Sequence, residues 1–218
     1  MQINPVSNIN HKGIPIADIK INGGDACYKL FSVNHKDKTF LEKMYDSVDL
    51  RKLMPKMPDY YHVVWDEVLR NAVRLTHSSG TKSVLETYNN TPCGILNYKE
   101  VNNKYHVNYV ATFPTDAGKR IPCAGQILFY ELFNRFINSD KQFIRLSAIK
   151  ISPFDPIIKY LRLGFKMRGG DNYCEIMGIN RERALETLSK QKKFIEYKSI
   201  ENTQFVDLNK EIKLNSVV

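Results

Sequence analysis

The segment Gly125–Ser139 carries Ile127, Leu128, Phe129, Tyr130, Leu132, Phe133, Phe136 and Ile137, which cover most of a helix's circumference rather than one stripe. A helix of that kind must be buried on nearly every side, so the rest of the chain has to cover both its flanks. Directly after it, Phe143–Ile149 is an unbroken β-prone run, the pattern of a strand covered on both faces. Directly before it, Tyr105–Phe113 also reads as a strand. The order strand, helix, strand implies parallel pairing between the two strands. The chain therefore falls in the mixed α/β class.

The remaining pattern fills in around that unit. Tyr61, Val64, Trp65, Val68, Leu69, Ala72 and Leu75 form one continuous apolar helical face, ended by Ser78-Ser79-Gly80. The period then switches to that of strands: Ser83–Tyr88, a turn at Asn89–Pro92, Gly94–Val101, a tight turn at Asn102-Asn103, and Tyr105–Phe113. That is a three-stranded antiparallel meander. Cys27–Val33 is a further short strand, and Lys38–Leu53 can be helical until Pro55 and Pro58 break it. After Phe143–Ile149, Asp155 is expected to cap a short helix with Pro156 at its first position and Gly164 closing it. Phe165–Arg168 and Tyr173–Ile179 make a hairpin, and Arg181–Glu196 a last helix. Residues 1–22 show no clear periodicity and read as a flexible lead-in with room for an edge strand at its end, 23–180 as the main domain, and 181–218 as a C-terminal helix and tail.

Composition narrows the function classes. A chain of 218 residues, 43% hydrophobic and 25% charged, suits one well-buried soluble domain. No apolar run approaches the ~20 residues needed to span a bilayer, and Met1–Gly13 lacks a signal-peptide core. The expected location is cytoplasmic, with no membrane partner. Cys27, Cys93, Cys123 and Cys174 are widely spread, with no paired spacing and no histidine placed to complete a metal site, so no metal is expected. The formal charge of +9 calls for an anionic partner or a solvated basic surface. Its densest patches, Lys119-Arg120 and Lys190 with Lys192-Lys193, lack the interleaved aromatics of a base-stacking platform, which argues against nucleic acid.

Two segments carry chemistry. In Val110–Leu132 a strand ending near Pro114 leads through a basic loop, Lys119-Arg120-Ile121-Pro122-Cys123-Ala124, into the buried helix at Gly125 and Gln126. Backbone N–H groups at such a loop and helix start, helped by the helix dipole, can hold a pyrophosphate. In Ser152–Phe165 a short helix ends Tyr160-x-x-x-Gly164-Phe165. Over roughly Cys27–Ile179 this arrangement resembles the GNAT acetyltransferase family, whose phosphate loop reads Q/R-x-x-G-x-G/A and whose short helix ends Tyr-x-x-x-Gly-Phe. The chain departs from that pattern at Lys119, at Pro122 in place of a glycine, and at Pro153, beside Ser152, in place of an asparagine.

The resemblance implies a mixed, mostly antiparallel central sheet with helices on both faces, an α/β (α+β) fold. It also implies acyl-CoA-dependent N-acyl transfer, in which a primary amine attacks acetyl-CoA directly. The cofactor contacts it implies are Ala111, Thr112, Phe113, Lys119, Arg120, Ile121, Cys123, Ala124, Gly125, Gln126, Ser152 and Tyr160. Within that set a bulged strand end at Ala111–Phe113 would supply the backbone donor for the acetyl carbonyl, and the Tyr160 hydroxyl would protonate the leaving thiolate. For the base, Glu86 is the best-placed carboxylate, with Glu100 and Asp116 behind it; each also reads as a surface charge. His106 reads as a packed or exposed neutral histidine, and Cys123 as a thiol whose pKa a helix N-terminus could lower. The acceptor would be a small-molecule or peptide amine, its groove lined by Tyr60, Tyr61, Trp65, Tyr88 and Tyr98, unless these simply fill the core. The protein would be a monomer or homodimer. The alternative function is a catalytically weak or inactive binding module on the same fold.

Overall fold

The computed structural model describes residues 12–112, 121–150, 155–201 and 204–214. In chain order these form β1 (Lys12–Ile21), β2 (Tyr28–Val33), α1 (Lys38–Asp46), α2 (Leu50–Leu53), α3 (Asp59–Leu75), β3 (Thr81–Tyr88), β4 (Thr91–Val101) and β5 (Lys104–Thr112). Then come α4 (Ala124–Ile137), β6 (Phe143–Ile149), α5 (Pro156–Arg162), β7 (Lys166–Gly170), β8 (Cys174–Asn180), α6 (Arg181–Gln191), β9 (Ile195–Ser199), β10 (Val206–Asp207) and α7 (Leu208–Glu211). One sheet in the order β10-β1-β2-β3-β4-β5-β6-β8-β7 runs through the molecule, and β9 joins beside β1. Every strand pair is antiparallel except β5 with β6, which is parallel as the crossover through α4 requires. Among the described residues no helix is long and apolar enough to cross a membrane.

The sheet separates two apolar layers. On one face α1 and α3 pack Phe40, Leu41, Trp65 and Leu69 against Phe31, Leu85, Ile95 and Ala111. On the other, α4 and α6 pack Leu128, Phe133, Ala184 and Leu188 against Leu30, Val84, Leu96 and Ile144. The sheet lies on one side of α4 and α6 on another, and β9 contributes Tyr197, which explains its apolar circumference. The one acid on its buried surface, Glu131, is matched by Arg135 and by the Tyr197 hydroxyl, so its burial leaves no unpaired charge. At the end of α4, Arg181 donates to the carbonyls of Ile137, Ser139 and Lys141 at 2.6, 2.6 and 2.8 Å. Those bonds satisfy acceptors that a helix C-terminus leaves open.

Both chain ends depart from the sequence reading. Residues 12–21, read as part of a flexible lead-in, form β1, which is held on one edge by β2 and on the other by β9 and β10. A bulge at Ile16, where pairing slips between Pro15 and Ala17, breaks the alternation that would have marked this strand. Residues 195–199, of which the first two were expected to end the last helix and the rest to belong to the tail, form β9 instead. Ile195 and Tyr197 turn inward against β1 while Glu196 and Lys198 turn outward, a period of two. The stretch Lys38–Leu53 is two helices, because Asp49 caps a new start by accepting from the Arg51 and Lys52 N–H groups.

Candidate active site

The parallel ladder between β5 and β6 covers only Lys104–His106 against Phe143–Arg145, although the strands continue to Thr112 and Ile149. Two causes pull them apart. β6 stays paired with β8 along its whole length, from Phe143 to Ile149. β5 stays with β4 but bulges: Val107 faces Tyr98, Tyr109 faces Asn97, and Asn108 is the extra residue. The opening between them holds a cavity of about 730 Å³. Its walls include Val107–Thr112 of β5, Leu146–Ile149 of β6, Ile121 and Cys123–Gln126, Pro156, Lys159, Tyr160 and Arg162 of α5, and Val64, Trp65 and Val68 of α3. The cleft thus takes walls from both faces of the sheet.

The bulge also decides which side chains those walls carry. In a regular strand Tyr105, Val107, Tyr109 and Ala111 would share one face. Here Tyr105 and Val107 pack into the α4 layer, whereas Tyr109 and Ala111 pack into the α3 layer. Among the described residues the bulge of β5 therefore lies at Asn108; of the expected Ala111–Phe113, Ala111 and Thr112 pair regularly with Ile95 and Gly94, and Phe113 lies outside the described residues. Beyond His106 the β5 edge facing β6 has no strand partner among the described residues, so its backbone groups border the cleft.

Of the expected cofactor contacts, Ala111, Thr112, Ile121, Cys123, Ala124, Gly125, Gln126 and Tyr160 all line this one cleft. Phe113, Lys119, Arg120 and Ser152 lie outside the described residues, as does Asp116. Helix geometry leaves the N–H groups of Ala124, Gly125 and Gln126 without intrahelical acceptors, and Cys123 gives them no side-chain cap. The Pro122 carbonyl accepts from the Tyr28 hydroxyl at 2.7 Å, which ties this turn to β2.

Tyr160 is positioned by the end of its helix. Gly164 (φ +89°) turns the chain so that the Phe165 N–H bonds the Tyr160 carbonyl at 3.0 Å and the Gly164 N–H bonds that of Leu161 at 3.0 Å. This is a Schellman closure, and it explains physically why a tyrosine, a glycine and a phenylalanine recur at that spacing. The Tyr160 ring packs edge-on to Phe129, 5.5 Å between centroids, and against Phe165 at 5.9 Å. Burial pushes its hydroxyl up to about 12, so it holds its proton at neutral pH. At the start of the same helix, Asp155 makes no side-chain cap; it sits at φ +44°, in the left-handed region.

The carboxylate assigned as base is elsewhere. Glu86 is fully buried in the α4 layer and does not line the cleft. Its side chain lies over the bare Cα of Gly94, where an added Cβ would stand 2.7 Å from Oε2. Neither carboxylate oxygen has a hydrogen-bond partner among the described residues, and burial holds the group well above the usual carboxylate range. A general base must reach its proton directly or through one water, and Glu86, fully buried, is not among the residues that line the cleft. Glu100 is at the surface, paired with Lys82 and Lys141. His106 is half-buried, with its pKa lowered by burial and by Arg145 and Lys104.

Cys123 caps α4 from the left-handed region (φ +60°). Its thiol is pushed up, by burial first and then by Glu86, and not lowered as a helix N-terminus alone would do. Alkylation of Cys123 by iodoacetamide, followed by peptide mass spectrometry, should stay slow at pH 7–8 and accelerate only above pH ~9. A rate already at its plateau at pH 7 would contradict the raised thiol.

Of the aromatic residues expected in an acceptor groove, Trp65 lines the cleft, Tyr60 is exposed on α3, and Tyr88 and Tyr98 pack in the α4 layer. Asn108, Tyr109, Ser147 and Lys159 are cleft residues that sequence reasoning missed. The visible trace of the first two was an asparagine interrupting an alternating strand.

No protein-family model and no curated protein matches the sequence. Among solved structures, the chain is similar to an uncharacterized protein from Bacillus halodurans, with TM-score 0.55 and 11% identity over 83% of this chain and 97% of that one. It is similar also to FdhC, described as a nucleotide-linked sugar GNAT, with TM-score 0.52 and 12% identity over 81% and 97%. A PaiA N-acetyltransferase of Thermoplasma acidophilum in complex with coenzyme A matches at TM-score 0.49 and 18% identity over 70% and 98%. The protein has the GNAT fold.

Proposed function

We propose that the protein is an acetyl-CoA-dependent N-acetyltransferase that moves the acetyl group to a primary amine by direct attack. The observation that carries this reading is the divergence of β5 from β6 beyond His106, which brings Tyr160 and the uncapped start of α4 into one cleft. The pyrophosphate would be held by the N–H groups of Ala124, Gly125 and Gln126. The thioester arm would run along the unpaired edge of β5, where a backbone N–H beside the Asn108 bulge would take the charge developing on the acetyl oxygen. Tyr160, protonated at working pH, would return a proton to the departing thiolate. No carboxylate lines the cleft among the described residues, so the amine's proton would leave through ordered water. A binding module of this fold that takes coenzyme A weakly or not at all is the second reading, favoured by Pro122, which cannot donate a phosphate hydrogen bond.

Isothermal titration tests the first step. Acetyl-CoA should bind with micromolar affinity, and binding should weaken as salt is raised, because it rests on charged phosphates. Absence of heat at millimolar acetyl-CoA would end the enzyme reading and leave the binding-module reading in its place.

A further inference from the structure

The two faces of the cleft differ in chemistry. On the α4 and α5 side the walls carry Lys159, Arg162 and the start of α4, all suited to an anionic ligand. On the α3 side they carry Val64, Trp65, Val68, Tyr109 and Ala111. Nothing charged projects from that second set. The acids of α3 are directed elsewhere: Asp66 is bound by the Tyr45 hydroxyl at 2.7 Å and by Arg70, and Glu67 is exposed. Asp59 is 78% exposed and faces Arg51. One helical turn before Val64 and Trp65, the rings of Tyr60 and Tyr61 lie 5.9 Å apart and extend the same apolar character towards solvent.

Resting on the acetyl-transfer reading above, we propose that the acceptor is a primary amine borne on an apolar group of aromatic size, packed between Trp65 and Tyr109. Polycationic amines are excluded as preferred substrates. A polyamine or an aminoglycoside brings several positive charges that must be matched when they leave water, and this side of the cleft has no carboxylate to match them among the described residues. A neutral aromatic group instead buries against a tryptophan, a tyrosine and two valines, contacts that give both affinity and orientation. The reacting amine enters neutral, having lost its proton to water.

The test measures acetylated product by mass spectrometry with the full chain, acetyl-CoA, and a panel of 2-phenylethylamine, tryptamine, a Phe-initiated tripeptide, spermidine and an aminoglycoside. The arylalkylamines or the tripeptide should exceed spermidine in kcat/KM by about tenfold or more, and whichever of the two leads identifies a small molecule or a peptide terminus as the source of the group. Trp65→Leu should raise KM for the preferred amine about tenfold without changing the acetyl-CoA affinity. Because Trp65 is buried, Val64→Glu at a half-buried lining position gives a second reading: it should raise spermidine turnover and lower that of the arylalkylamine. Spermidine or the aminoglycoside as the better wild-type substrate overturns the proposal, as does acetyl-CoA binding with no turnover of any apolar amine. Failure of acetyl-CoA to bind at all overturns instead the reading on which it rests.

Discussion

Replacing Tyr160 with Phe is expected to lower kcat about 10²-fold, the usual contribution of a positioned proton donor, while the Kd for acetyl-CoA stays unchanged. The separation follows from what the residue touches. Its ring is held by Phe129 and Phe165 and its carbonyl by the Phe165 N–H, and all three contacts survive loss of the hydroxyl. What disappears is a hydroxyl that burial pushes up to about 12, so that it keeps its proton throughout the neutral range. Single-turnover kinetics alongside calorimetry would measure both quantities. An unchanged kcat, or a fall in affinity matching the fall in rate, would make Tyr160 a packing residue only.

The second large effect concerns Glu86 and stability rather than rate. Its carboxyl is neutral in the folded protein because burial opposes the charge, whereas in the unfolded chain it ionises near pH ~4.3. Above that pH the folded state binds the extra proton, so wild-type stability falls as pH rises and flattens only above the raised folded value. Gln cannot ionise, so Glu86→Gln should gain on the wild type progressively as the pH rises above the unfolded-state value. The limiting slope is about 1.4 kcal/mol per pH unit for one proton. Urea denaturation of both proteins at several pH values would measure it. A stability difference independent of pH would mean that Glu86 is charged and paired in the native state.

How much of this could be read from the residues alone varied with the range of the forces involved. α4 was evident because burial on nearly every side leaves a largely apolar composition; β6 reads as a strand too, but it is covered on one face only, with Ile144, Leu146 and Ala148 buried and Phe143 and Ser147 exposed. The parallel pairing of β5 with β6 followed from chain order. Tyr160 was found through the Gly164-Phe165 closure, a local motif whose geometry depends on neighbouring residues. β1 reads from sequence as no more than an edge strand after a lead-in, because its partners β9 and β10 come from the far end of the chain and because the bulge at Ile16 breaks its alternation. The same cause hid Tyr109: only the slip at Asn108 turns it towards α3. Glu86 was taken for a surface group or a base because a strand glutamate gives no sign of burial until the glycine opposite it, Gly94, is known to make room.

The opening between β5 and β6 draws walls from both sides of the sheet, so under the proposed acetyl transfer neither ligand would have to depart before the other arrives. Such a passage favours a ternary complex over a covalent relay. Initial-velocity lines for the two substrates should then intersect rather than run parallel. Free coenzyme A should compete with acetyl-CoA for its side of the passage while the amine's side remains accessible, so dead-end complexes of coenzyme A with the amine become part of the catalytic cycle's inhibition pattern.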